Sequence, residues 1–219
     1  MNNVLHYGTV TVRLKAILQK LMQEKLFAPF RLVGGTNLSL RYGHRISVDI
    51  DLFTDEDYGS LDFRLFEEYL KANFLYYDCN DDTSIVGFGR SYYIGETGDD
   101  CVKLDLMYTD PFLDEAELID GVRMASVRDM VAMKMNAICA GGRKKDFWDL
   151  HMVLEHFSLE EMFDLHMRRH PWEHDRDEMK THLTDFSEVD EQPDPICLQN
   201  KDWDDIKLDF IDEIQKLHD

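Results

Sequence analysis

The sequence predicts a mixed α/β (α+β) fold, a small mixed β-sheet flanked by helices and followed by an all-helical C-terminal half. Two observations carry this. Up to Tyr108, stretches with helical apolar spacing are interleaved with short alternating runs, clearest where Val102, Leu104 and Leu106 alternate with Lys103, Asp105 and Met107. From Ser126 onward the spacing is helical and stays so. The change of pattern sets a boundary within residues 112–125, dividing the chain into an α/β domain over 1–120 and a helical domain over 121–219.

The elements follow in order. Val10, Leu14, Ile17, Leu18, Leu21 and Met22 define an amphipathic helix over Val10 to Phe27 that Pro29 ends. Phe30 to Val33 reads as a strand running into Gly34-Gly35, and Thr36 as the cap of a short helix through Tyr42 that Gly43 closes. Val48 to Phe53 reads as a strand with Ile50 and Leu52 on one face and Asp49 and Asp51 on the other. A helix over Leu61 to Ala72 comes next, then strands near Phe74 to Tyr77 and Ile85 to Ile94, separated by a turn at Asn80-Asp81-Asp82. In the second half Ser126 caps a helix to about Ala140, and Gly141-Gly142 breaks it. Helices are expected over Lys144 to Phe157, Leu159 to Arg169, Asp175 to Leu183 and Trp203 to His218, with a loop over Asp185 to Asp194.

The 219 residues are 44% hydrophobic and 31% charged, which excludes wholesale disorder. The net charge of −20 opposes non-specific binding of nucleic acid, so a polyanionic substrate needs a local basic patch. Arg143-Lys144-Lys145, supported by Arg168-Arg169, is the candidate. Cys79, Cys101, Cys139 and Cys197 form no CxxC pair, which fits free thiols. Met1 to Leu14 lacks the apolar core of a signal peptide, and no apolar run approaches the roughly 20 residues that span a bilayer. A soluble cytoplasmic protein is the expectation. There is no internal repeat, Walker motif, GxGxxG or Gly-x-Ser-x-Gly elbow.

Asp49 and Asp51 are the chemical centre of the sequence. Two carboxylates at i, i+2 on a strand share a face, where their repulsion is relieved by a divalent cation or by solvent. Asp105 holds the polar face of a second strand and can reach the same ion. A solvated strand edge is the plainer reading of Asp-x-Asp, just as a tight turn is the plainer reading of Gly34-Gly35. The combination favours chemistry: glycines that let the backbone approach a phosphate, a helix start with the Thr36 hydroxyl as an anion site, then a carboxylate pair on the adjoining strand.

Gly34-Gly35-Thr36-Asn37-Leu38-Ser39-Leu40 followed by Gly43-His44-Arg45-Ile46-Ser47-Val48-Asp49-Ile50-Asp51-Leu52-Phe53 closely resembles the first motif of the AbiEii/AbiGii toxin family, nucleotidyltransferases of the polymerase-beta superfamily. Lys103-Leu104-Asp105 resembles the second motif, Asp129 through Lys134 the third, and Arg143 through Leu150 the fourth. The resemblance implies a nucleotidyltransferase core and transfer of a nucleotide from an NTP with Mg²⁺ or Mn²⁺. It makes Asp49 and Asp51 metal ligands, with Asp105 in a more variable position. Ser47 takes the family's serine position, for nucleotide contact or regulation. Lys134 would bind nucleotide phosphate, and Asp146 would be an active-site carboxylate. It also implies a toxin of a toxin–antitoxin or phage-defence system, with a cognate antitoxin as partner and an RNA, such as a tRNA acceptor end, as acceptor; because the net charge of −20 opposes RNA docking, a protein hydroxyl is the alternative acceptor. A non-catalytic module that keeps the fold is the alternative.

Several residues admit two readings from spacing alone. Lys134 lies on an otherwise apolar helix face and either snorkels or points into a cleft. Arg45 is a phosphate contact or a counterion of the aspartate pair. Asp149 shares a face with Asp146 and is expected to pair with Arg143 or Lys145. His166 and His170 have the i, i+4 spacing of helical metal ligands, but Pro171 and Arg168-Arg169 argue against an enclosed site. His151 and His156 are expected to be surface or packing residues, and Met130, Met133 and Met135 core filler.

Overall fold

In a computed structural model, which describes residues 4–79 and 87–217, Leu14, Ile17, Leu18 and Leu21 bury one face of helix α1 (Val12–Gln23), whose first turn is capped by the Thr11 hydroxyl. The helix is shorter than the apolar spacing predicts. Glu24 is extended, and a 3₁₀ turn over Lys25–Phe27 carries the chain to Pro29. Then come β1 (Arg31–Val33), α2 (Gly34–Tyr42) and β2 (Asp49–Thr54). Helix α2 starts at Gly34 itself, so Thr36 lies inside its first turn rather than capping it, and Gly43 closes it in the left-handed conformation. Helix α3 (Phe63–Asn73), capped by Asp62, leads to β3 (Tyr76–Cys79), β4 (Gly89–Gly95) and β5 (Cys101–Tyr108). The turn expected at Asn80 to Asp82 and the first residues of the strand expected from Ile85 lie outside the described residues.

Residues 112–125, the expected boundary, contain a hairpin: β6 (Glu117–Ile119) and β7 (Val122–Met124). Its two-residue turn is Asp120-Gly121, both at positive φ (48° and 77°), which suits the right-handed twist of the strands it joins. Strand β7 pairs in parallel with β1 at Leu32 and Met124, so the sheet runs to Met124. The described strands form one sheet in the order β3-β4-β5-β2-β1-β7-β6. The parallel pairing of β2 with β5 brings residues 49–54 beside 103–108.

The helical half comprises α4 (Val127–Cys139), α5 (Lys144–Val153), α6 (Leu159–Arg169), α7 (Arg176–Thr184) and α8 (Trp203–Lys216). Helix α5 ends at Val153, short of the expected Phe157: residues 154–156 form a turn in which the His156 N–H donates to the Val153 carbonyl (2.9 Å), and Ser158 and Glu161 then form the capping box that starts α6. The last residue expected in α8, His218, lies outside the described residues.

Two apolar clusters form. One packs α1 and α3 on the sheet through Leu14, Phe27, Phe66 and Leu104. The other joins α4 to α8 through Met130, Phe147, Phe163 and Phe210. Helix α2 serves both, with Leu38 in the helical cluster and Leu40 in the sheet cluster. The chain also returns from the helical half to the sheet half. Ile46 N–H donates to the Ile196 carbonyl (2.9 Å) and Leu198 N–H to the His44 carbonyl (2.8 Å). No helix among the described residues is long and apolar enough to cross a membrane.

Candidate active site

Strand β2 alternates strictly: Ile50 and Leu52 are fully buried, so Asp49 and Asp51 share the opposite face. The β2–β5 register sets Asp105 beside Asp51 and Lys103 beside Asp49, so three carboxylates converge on one surface. Above them the turn from β1 into α2 passes at Gly34. Its φ is +70°, and a Cβ there would lie 2.1 Å from Asp51 Oδ2. The positive φ favours glycine, and any Cβ would force the Asp51 carboxylate to shift.

Burial, and next the charge of Asp105, push the Asp51 carboxyl up to about 6. Lys103 Nζ donates to Asp105 Oδ2 at 2.5 Å, while Asp105 Oδ1 is buried without a hydrogen-bond partner. Lys145 Nζ lies 3.7 Å from Asp49 Oδ2, and burial lowers its basicity. Asp51 and Asp105 lie opposite each other in the β2–β5 register, with Asp49 two residues along on the same face and one Asp105 oxygen unpartnered; carboxylate oxygens are the donors a hard divalent cation such as Mg²⁺ prefers.

Behind this face lies a buried ion cluster centred on Asp149, which is fully buried. Arg45 grips it in a two-pronged pair, Nε to Oδ1 at 2.7 Å and Nη2 to Oδ2 at 2.8 Å, and His44 Nε2 reaches Oδ1 at 2.8 Å. Lys134 Nζ lies 2.6 Å from Asp149 Oδ2 and donates to Asp146 Oδ1 at 2.7 Å. Asp146 Oδ2 accepts from the Arg143 N–H (3.0 Å) and so caps α5 as well. The cations hold both carboxyls below the usual carboxylate range, Asp149 well below it, against the opposing effect of burial.

Gly34, Gly35, Asp49, Asp51, Lys103, Asp105, Lys134, Arg143, Lys145 and Asp146 line one cleft of ≈ 270 Å³, together with apolar residues that include Met130 and Met133. Of the ten residues predicted to bind metal or nucleotide or to act in catalysis, seven thus come together: Gly34, Gly35, Asp49, Asp51, Asp105, Lys134 and Asp146, with Arg143 and Lys145 of the basic patch beside them. Thr36, Ser47 and Arg45 stand beneath the cleft wall. The Thr36 hydroxyl donates to the Asp49 carbonyl (2.5 Å) and lies 2.8 Å from Ser47 Oγ, which ties α2 to the start of β2. Arg45 packs under Gly35, where a Cβ would meet Nη2 at 2.0 Å, and it is the counterion of Asp149 rather than of the aspartate pair. Asp149 is a satisfied structural partner, as expected, but its partners are Arg45, His44 and Lys134 and not Arg143 or Lys145. Lys103 as a cleft residue escaped the sequence reading, although its alternation with Asp105 was the available signal.

Residues 16–217 match the family described as nucleotidyl transferase AbiEii toxin of type IV toxin–antitoxin systems. The chain belongs to the AbiEii family. An uncharacterized protein of Aquifex aeolicus (strain VF5), aq_aa25, is 30% identical over 162 residues, which are 71% of this chain and 66% of that protein, just under two thirds of its length. Among solved structures, an H. pylori protein named for a proposed nucleotidyltransferase activity has a TM-score of 0.62 at 25% identity, covering 94% of this chain and 91% of that one. MenT4, a nucleotidyltransferase toxin of Mycobacterium tuberculosis, shares the fold, with a TM-score of 0.57 at 13% identity over 92% of this chain and 81% of its own.

In this AbiEii chain the expected basic patch is divided. Arg143 and Lys145 face the cleft, but Lys144 is buried on the far side of α5, donating to the Asp190 carbonyl (2.9 Å) and to Asp194 Oδ1 (3.0 Å). Arg169 is buried too, with Nη1 on the Pro111 carbonyl (2.7 Å) and Nη2 on Thr109 Oγ1 (2.9 Å). Arg143 to Lys145 and Arg168-Arg169 therefore do not make one basic face.

Proposed function

We propose that this AbiEii-family chain transfers a nucleotide from an NTP to a hydroxyl acceptor, an RNA 3′ end or a protein side chain, as the toxin partner of a cognate antitoxin. The observation that carries the reading is the convergence of Asp49, Asp51 and Asp105 under Gly34, with one Asp105 oxygen left unpartnered. Those three carboxylates would hold Mg²⁺ or Mn²⁺, which when bound neutralises phosphate charge and lowers the pKa of the acceptor hydroxyl.

The protein's own groups supply position and charge. Gly34 and Gly35 let a triphosphate approach the start of α2, whose free N–H groups favour an anion. Lys103, Arg143 and Lys145 add positive charge around the carboxylates, on the side where the β- and γ-phosphates would lie. Lys134 contributes through its ammonium at the cleft wall, held in place by Asp146 and Asp149. Such chemistry depends mainly on orientation and charge stabilisation.

Asp49→Ala is expected to abolish incorporation of label from α-³²P NTPs while leaving the circular dichroism spectrum unchanged. Full activity in that variant overturns the assignment. Removal of the product label by RNase or by protease identifies the acceptor class.

A further inference from the structure

A second cluster of donors lies away from the cleft, where α6 meets the segment that leaves β5. His170, the residue that ends α6, is only 7% exposed, and neither of its ring nitrogens has a hydrogen-bond partner. Its Nδ1 faces two carboxylates at equal range: Asp110 Oδ2 at 3.5 Å and Glu173 Oε1 at 3.5 Å. All three donor atoms lie within 4.8 Å of one another. A good N–H···O bond is about 2.7–3.2 Å long, so the imidazole is not bonded to either oxygen. Donors about 2.1 Å from a common ion in tetrahedral array stand about 3.4 Å apart, close to the 3.5 Å that separates Nδ1 from each carboxylate oxygen.

The charges agree with the geometry. Arg169 feels the Asp110 charge but pairs with Asp129, not with either carboxylate of the group. Its Nη1 and Nη2 are engaged by Asp129 Oδ1 (3.3 Å), Thr109 Oγ1 and the carbonyls of Asp110 and Pro111. Among the described residues, neither Asp110 nor Glu173 forms an ion pair with a Lys or Arg, so both carboxylates face the imidazole alone. The His166 ring, 5.3 Å from that of His170, packs beside it and limits its rotation.

We propose that Asp110, His170 and Glu173 form a binding site for a borderline first-row divalent ion, Zn²⁺ above all, that staples the exit of β5 to the end of α6. An imidazole with two carboxylates selects Zn²⁺ over Mg²⁺, which prefers oxygen donors alone and suits the Asp49, Asp51 and Asp105 set instead. The i, i+4 pair His166 and His170 is not the ligand set. His166 directs Nε2 to Asn136 Oδ1 at 3.2 Å, and the partners of His170 come from a different spacing and a distant segment. The staple acts where Arg169 already joins the two halves, five residues beyond Asp105 on the same strand exit.

The test is equilibrium dialysis of tag-free, metal-stripped protein against Zn²⁺ in excess Mg²⁺, with thermal unfolding measured alongside. One equivalent of Zn²⁺ is expected to bind despite Mg²⁺ and to raise Tm. The His170 side chain is buried, so its replacement risks misfolding. The partly exposed carboxylates, at 61% and 43%, carry the test instead. Glu173→Gln and Asp110→Asn are each expected to weaken Zn²⁺ binding by ten-fold or more and to abolish the rise in Tm. Zn²⁺ binding that Mg²⁺ displaces, or that is unchanged in the Asp110→Asn/Glu173→Gln double variant, overturns the proposal. So does the lack of a tightly bound equivalent in the unaltered protein.

Discussion

At Gly34 the backbone holds φ at +70° and passes so close to Asp51 that a Cβ would lie 2.1 Å from its Oδ2. Alanine there must either push Asp51 aside or move the start of α2. We expect Gly34→Ala to lower nucleotide transfer on the order of 10²-fold, the usual effect of displacing a reacting group by about 1 Å. The left-handed backbone should add about 1–2 kcal/mol of destabilisation. Steady-state assays and urea denaturation of the same preparation separate the two effects, and wild-type turnover would show that Asp51 has freedom to shift. Asp49 and Asp51 were legible from the sequence because strand alternation is a local property. Thr36, Ser47 and Arg45 were not, because their motif positions are the same whether the polar atoms face a ligand or brace the wall behind it. Only their hydrogen bonds to Asp49, to each other and to Asp149 separate the two cases.

Helices α4 and α5 meet through charge as well as apolar packing. Lys134 on α4 sits between Asp146 and Asp149 on α5, and Asp149 also holds Arg45 and His44 from the segment after α2. Asp149→Asn keeps the shape of the side chain but leaves Arg45 buried without its carboxylate. Breaking such a buried pair costs about 3–5 kcal/mol, and the amide oxygen retains part of the bonding, so a loss of ~3 kcal/mol is expected. Urea titration with an unchanged m-value checks this; a loss below about 1 kcal/mol would mean that the cluster reorganises around Lys134 and Asp146. Most elements were readable from periodicity and caps, with Ser126 capping α4 and α6 spanning Leu159–Arg169 as expected. The β6–β7 hairpin was missed although Asp120-Gly121 is a strong turn signal, because strands of three residues are too short to show alternation.

Across the whole molecule the balance of −20 makes acid stability informative. Asp146 and Asp149 have depressed carboxyl pKa values, so the unfolded chain binds protons there before the folded one does. Their contribution is complete above the ordinary carboxylate pKa of about 4 and is lost as pH falls through the lower folded-state values. The denaturation midpoint is therefore expected to drop steeply below about pH 4, and less steeply in Asp149→Asn, which lacks one of the two linked groups. Parallel profiles for the two proteins between about pH 6 and 3 would remove Asp149 as a source of acid sensitivity.

The pattern of residues by itself determined that a strand presents two aspartates over a glycine turn, that the second half is helical, and that the motifs run in the order of the AbiEii family. Those features depend on spacing along a few turns or one strand, where period and capping chemistry act locally. Tertiary structure decided which strand lies beside β2 and so brought Asp105 to Asp51. It placed Lys144 and Arg169 inside rather than on a basic face, and it set His170 against Asp110 and Glu173. Each of these is a partnership between distant segments, settled by which surfaces bury together and which charges must then be matched.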